Sequence, residues 1–259
     1  MIKVHLQPTD LQNIAFSFSP LLEAVSSYCL IRKSGYPVYD HRWHEAVLRA
    51  TYGMNLPFMH AVVLAPRYMA DFVTPTPTRA NLSFEEELEH LRATPHDVVR
   101  KNVRVLLAQW TENDKLDSDT HEILRYFLAY PSEALDCLAD ELRQFWAQAI
   151  APYWERVRSI LENDILYQGR RMALEGVSSM VEQLDTRLRL DGGILLIEKP
   201  QHGRDEYHLE GRGLQLVPTL FTGNKLSWQI EPEWKPMVIY SARGGSCCIC
   251  PHNPIPNRH

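Results

Sequence analysis

An α+β fold with an N-terminal strand, a helical body and a C-terminal antiparallel sheet follows from three observations. Ile2, Val4 and Leu6 alternate with Lys3 and His5, the period of a half-buried strand. From Leu21 onward apolar residues recur at helical spacing, and beyond Leu184 the period changes to two.

The elements follow in order. Ser19 and Pro20 supply an N-cap and a proline at the first helical position, opening a helix through Leu21, Leu22, Val25 and Tyr28 to Leu30. Gly35 and Pro37 break the chain, and a second helix is expected over 41–52, ended by Gly53. Residues 55–81 contain Pro57, Pro66, Pro75 and Pro77 and lack a sustained period. Phe58, Met59, Val62, Val63, Leu64, Tyr68 and Phe72 make this stretch too apolar for a solvated linker, so it is expected as a partly extended segment over the core.

Ser83 with Glu86 forms a capping box for a helix through Leu88 and Leu91. Thr94 and Pro95 start the next, with Val98, Val99, Val103, Leu106 and Leu107 on one face, and residues 117–130 give another, closed by Pro131. The longest helical signal begins near Ser132, and Pro152 interrupts it. A proline inside a helix costs ~3 kcal/mol but little at a helix start, so two helices meet near Ala151 and the second ends near Gly176. Leu188 with Leu190, residues 194–197, Tyr207 with Leu209, and residues 214–217, 226–230 and 237–240 then read as six short strands in an antiparallel meander packed on the helices.

At 259 residues, 45% hydrophobic and 23% charged, the composition is that of a globular chain and sets aside fibrous and disordered classes. No apolar run approaches the ~20 residues a bilayer requires, and the N-terminus lacks an uninterrupted apolar core, so a soluble cytoplasmic protein with no membrane partner is expected. The net charge is −5 and the 27 basic residues are scattered, a poor footprint for a phosphate backbone. Five cysteines, Cys29 and Cys137 in helical contexts and Cys247, Cys248 and Cys250 near the end, do not form a secreted disulfide framework.

Sequences that resemble chemical motifs depart from them in detail. His41, His44 and Glu45 are spaced HxxHE rather than HExxH, and read as surface or interface residues. Gly211, Gly213 and Gly223 lie between strands and read as turn residues, not as a dinucleotide fingerprint. No serine lies in GxSxG, so catalytic residues are assigned to none and the chain is expected not to be an enzyme. Cys247, Cys248, Cys250, His252 and His259 offer soft ligands, but adjacent cysteines fit poorly on one tetrahedral ion, and neither a metal nor a cofactor is expected. The aromatics Trp110, Tyr126, Phe127, Tyr130, Phe145, Trp146, Tyr153 and Trp154 read as core. Their functional alternative is an effector pocket using Trp146, Tyr153 and Trp154, with Arg170 for an acidic group. Arg156, Arg158, Asp164, Arg170 and Arg171 read as a solvated or interface face with i, i+4 pairs.

Five stretches carry a family resemblance: FSFSPLLEAVSS at 16–27, APRYMADFVTPTP at 65–77, the long segment at 145–177, GRGLQLVPTLF at 211–221 and PMVIYSARG at 236–244. In kind and order they resemble the N-terminal regulatory region of ArsR-like winged-helix transcriptional regulators. The resemblance covers residues 1–245 as a sensing and dimerising domain, and residues 246–259 match nothing in the pattern. It implies a homodimer through the helical body, a small-molecule effector, and DNA binding only through a winged helix absent from this chain. A change of frame or early stop is the simplest account of the last residues, with a disordered tail and a sheet edge left uncovered beside it. Metal sensing in the wider group uses ligands of the winged-helix region, and none carries over. Two other readings stay open: a free-standing small-molecule binding protein, favoured by a tail docked on the body, and an enzyme using groups near Asp164 and Arg170.

Overall fold

The computed structural model describes residues 1–33, 40–65, 68–112, 117–198, 205–223, 225–244 and 249. The break at Gly35 and Pro37, Pro66, and the tail ligands Cys247, Cys248, Cys250, His252 and His259 lie outside the described residues.

The first strand, β1 (Ile2–His5), buries Ile2 and Val4 and turns Lys3 outward, as the alternation requires. A short helix α1 (Pro8–Gln12) and a second strand β2 (Ile14–Phe16) precede α2 (Pro20–Arg32), so the N-terminus contributes two strands rather than one. Ser19 caps α2 by accepting from the Leu22 N–H at 2.9 Å. Helices α3 (His41–Ala50), α4 (Pro57–Val63), α5 (Phe84–Arg92), α6 (His96–Glu112), α7 (Ser118–Ala129) and α8 (Pro131–Ala149) follow. Ser83 and Glu86 form the expected capping box on α5. Helix α4 falls in the proline-rich stretch expected to be extended. Pro57 takes its first position, and Met59, Ala61, Val62 and Val63 are buried, so a helix apolar on most sides leaves no 3.6 period to read.

Pro152 lies in a 3₁₀ turn (Ala151–Tyr153) between α8 and α9 (Trp154–Glu175), and α9 stops at Gly176, where φ is 84°. After α10 (Val177–Leu184) come β3 (Leu188–Asp191), β4 (Ile194–Ile197), β5 (Glu206–His208), β6 (Leu214–Thr219), β7 (Ser227–Gln229) and β8 (Met237–Ser241).

The α+β class stands, but the strands do not form one antiparallel meander. They make two mixed four-stranded sheets, ordered β3-β4-β1-β5 and β2-β6-β8-β7. The hairpin β3–β4 turns on Gly192 and Gly193, both at positive φ, and β7 pairs antiparallel with β8. Elsewhere β1 runs parallel to β5, and β6 runs parallel to both of its neighbours, β2 and β8. Strand β6 is buried at every position, the mark of a parallel strand covered on both faces. Because β6 and β7 flank it, β8 is an interior strand, and the expected exposed edge at the end of the match is not there. A large core joins α2–α9, and a second joins the first sheet, the inner face of the second and α10.

Buried carboxylates fasten these parts together. Asp10 of α1 accepts from the Gly213 N–H at 2.8 Å, just before β6. Glu23 of α2 accepts from Leu220, just after β6. Glu87 of α5 takes the Ser19 hydroxyl at 2.9 Å and the Leu21 N–H at 2.7 Å at the start of α2. Glu141 of α8 takes the Phe58 and Met59 N–H groups at 3.2 and 2.8 Å, capping α4 where Leu56 has no side chain to do so. Burial pushes the Glu23 and Glu87 carboxyls up to about 8 and that of Glu141 to about 7, against the pull of these hydrogen bonds.

A carboxyl raised in the folded state holds its proton after the unfolded chain has released it. The associated stability is therefore complete below the unfolded value of 4.5 and is lost as pH rises through about 8. The melting temperature should fall steadily across that window. Glu23→Gln and Glu87→Gln should each remove up to about 5 kcal/mol of the fall, read by thermal unfolding at a series of pH values. Parallel pH profiles for wild type and both variants would contradict the assignment.

Candidate functional site

Three separate elements meet around a cleft of about 370 Å³, a volume in the range of small-molecule sites. Helix α2 contributes Tyr28 and Arg32 from its last turns. The 54–57 turn and α4 contribute Met54, Asn55, Leu56, Pro57 and His60, followed by Leu64. The start of α7 contributes Asp117, Asp119 and Thr120. Pro57 and Asp117 fix where α4 and α7 begin, and so where the cleft lies: Pro57 occupies the first turn of α4, and Asp117 caps α7 by accepting from the Thr120 N–H at 2.7 Å.

Its electrostatics are mixed. The Arg32 guanidinium lies 5.7 Å over the Tyr28 ring, and burial raises the phenol to about 12 although Arg32 opposes this. His60 stacks on Trp110 with centroids 5.8 Å apart, and burial lowers its pKa, favouring the neutral imidazole. Hydrogen bonds from Thr120 hold the Asp117 carboxyl below its ordinary value. A guanidinium, two carboxylates and an apolar lining can together receive an amphipathic molecule with a polar group at each end.

The residues expected to bind an effector are not gathered here. Trp146 and Trp154 do meet, edge to face at 5.2 Å, across the 3₁₀ turn that holds Tyr153. Phe84 stacks on Trp146 at 4.4 Å and Phe18 packs on Trp154 at 6.0 Å, so these indoles are occupied by the core. Arg170 is exposed on α9, sixteen residues beyond Trp154, which places it roughly 24 Å further along the helix axis. The four residues therefore do not line one pocket. Tyr28, Arg32, His60 and Asp119 carried no binding signal in the sequence, because each is ordinary for its own helix.

Other motifs settle simply. Gly211, Gly213 and Gly223 all have positive φ and serve turns. A side chain at Gly213 would bring its Cβ to 2.6 Å from the Asn13 carbonyl oxygen. Arg158 pairs with Glu162 and Arg171 with Glu175 at i, i+4 on α9. Asp164, by contrast, is buried rather than solvated. It takes the Tyr240 hydroxyl at 2.7 Å and the Arg243 N–H at 3.0 Å, and burial raises its pKa. Arg243 also lies over the Tyr167 ring at 3.5 Å. The end of β8 is thereby clamped to α9. Donors suited to a metal lie elsewhere, on β1 and β5, where His5, Glu206 and His208 bring ligand atoms within 4.8 Å of one another.

Comparison of the chain with protein-family models, with curated proteins and with solved structures finds no match.

The clamp is open to direct test. Asp164→Ala leaves a buried phenol and a backbone N–H without their acceptor and should cost ~2–4 kcal/mol. Hydrogen exchange should accelerate at residues 240–244 and the facing turn of α9 while the α2–α5 core stays protected. A uniform loss of protection would assign Asp164 to global stability instead.

Proposed function

We propose that this chain is the effector-sensing and pairing region of a cytoplasmic transcriptional regulator of the ArsR-like type. The observation that carries the reading is the cleft between α2, α4 and α7, whose volume and mixed lining suit a small amphipathic effector. The regulatory context comes from the resemblance over residues 1–245. A net charge of −5 over the 259 residues, with scattered basic groups, supports leaving DNA contact to a winged helix outside the matched residues.

Binding rather than catalysis fits the groups in place, since both Asp164 oxygens are committed to Tyr240 and Arg243. Pairing is assigned to α9. Its buried face carries Val157, Leu161, Asp164 and Gln168, while Leu166 and Leu174 on another face are 70% and 71% exposed. Through Asp164 the same helix holds the end of β8, so a change in pairing geometry would be felt where the family's reader follows.

One observation favours a second reading. Ile249 is buried against the helical core and its N–H is donated to Asp40, the N-cap of α3. On that reading Ile249, beyond the matched residues, belongs to the folded body, and the chain is a free-standing small-molecule binding protein.

A thermal-shift screen with small amphipathic compounds should yield stabilising ligands. Arg32→Ala and Asp119→Asn should abolish their effect while changing the unliganded melting temperature by no more than ~2 °C. Ligands whose effect survives both changes would remove the cleft from the function. Sedimentation over a concentration series should give a dimer that Leu166→Glu or Leu174→Glu dissociates. A wild-type monomer at every concentration would remove the pairing role.

A further inference from the structure

The parallel pair β1–β5 sets His5 directly opposite His208 and Lys3 opposite Glu206. Side chains two apart on a strand share a face, so all four project from the same side of the first sheet. The His5 and His208 rings are stacked 11° from parallel with centroids 4.5 Å apart, and His5 Nε2 hydrogen bonds Glu206 Oε1. Glu206 and His208 are exposed and His5 is half-buried.

We propose that His5, Glu206 and His208 bind a divalent transition metal of the zinc class, which fastens the edge strand β5 to β1. Two imidazoles and one carboxylate are a borderline donor set, suited to Zn²⁺ and to its neighbours Ni²⁺ and Cu²⁺ rather than to Mg²⁺ or Ca²⁺. Two ligands of one tetrahedral zinc ion are roughly 3.3 Å apart for bonds near 2.0–2.1 Å. The three donors already lie within 4.8 Å of one another, so rotations of exposed side chains close the difference. The fourth position opens to solvent and takes water. Lys3 is the one cation that shares this face within the pair. Its ammonium stands at the end of a flexible four-carbon stem and can turn outward when the ion enters.

The location gives the metal a mechanical role. Strand β5 has three residues and lies at the end of its sheet, held on β1 by bonds that include Lys3 N–H to Asp205 O and Leu209 N–H to His5 O. A metal bridging the two strands adds a crosslink at this edge. Unlike the proposed effector cleft, the site lies wholly on the first sheet, and its existence does not depend on the regulatory reading.

The test uses the full chain, prepared free of metal, titrated with Zn²⁺ and Co²⁺ and with Mg²⁺ as control. Zn²⁺ near a hundredfold above its Kd should raise the melting temperature by ~5 °C, and Mg²⁺ should leave it unchanged. Co²⁺ should give visible d–d bands without the ultraviolet charge-transfer band of a thiolate ligand. His208→Ala and Glu206→Gln alter exposed side chains. Each should weaken Zn²⁺ binding by about tenfold or more. Replacing Cys247, Cys248 and Cys250 together by alanine should leave it unchanged. Zn²⁺ should also slow hydrogen exchange at residues 205–209. Absence of binding, a thiolate band, or affinity lost with the three cysteines but kept in His208→Ala and Glu206→Gln would each overturn the proposal.

Discussion

Buried carboxylates that accept backbone N–H groups hold this protein's parts in register. Asp10, Glu23, Glu87, Glu141 and Asp164 each leave water and each recover hydrogen bonds from main chain or hydroxyl groups of a distant element. The residues so joined lie 66 to 203 positions apart. Apolar packing alone would supply more stability per buried atom, but it tolerates sliding. A carboxylate that must meet two particular N–H groups does not. The start of α4, the start of α2, both ends of β6 and the end of β8 are each set in this way, and the cleft lies beside two of the elements so fixed.

The helices were the most legible part of the fold, because their ends are written in local chemistry. Ser19–Pro20, Ser83 with Glu86, Asp117, Pro131 and Pro152 all act where their residue types predict. Strand positions were nearly as clear, but their partners were not. A period of two gives the faces of a strand and says nothing of its neighbour, so β1 beside β5 and β2 beside β6 could not be read. The run at 214–217 carried no sign of its place either. Gln215 interrupts its apolar residues as in a half-buried strand, yet β6 buries Gln215 with its neighbours and is the parallel centre of its sheet. Helix α4 stayed hidden for the opposite reason, since burial on most sides erases amphipathic spacing.

Sites were less legible than elements. The cleft draws on three helices, none with an unusual residue, and only the fold brings Arg32 near Asp119. The aromatic cluster was visible and does assemble around Trp146 and Trp154, yet its rings are spent on one another. Arg170 fails on plain helix geometry. The His5, Glu206 and His208 set existed in the sequence as two halves, a histidine on the first strand and Glu-x-His on a late one. Only the parallel register joins them.

That register also bears on how the chain is made. Residues 2–16 leave the ribosome well before their partners, so β1 must wait for residues 194–208 and β2 for residues 214–216 before either has a hydrogen-bonded neighbour. The helical body between them can collapse from contacts much closer in sequence. Synthesis at ~5–20 residues per second keeps the opening segment waiting on the order of ten seconds or more. Through that interval two short strands with open edges are tethered to a body that is free to form without them. The carboxylates of α1 and α2 that later receive Gly213 and Leu220 wait as well, uncommitted until the last third of the chain arrives.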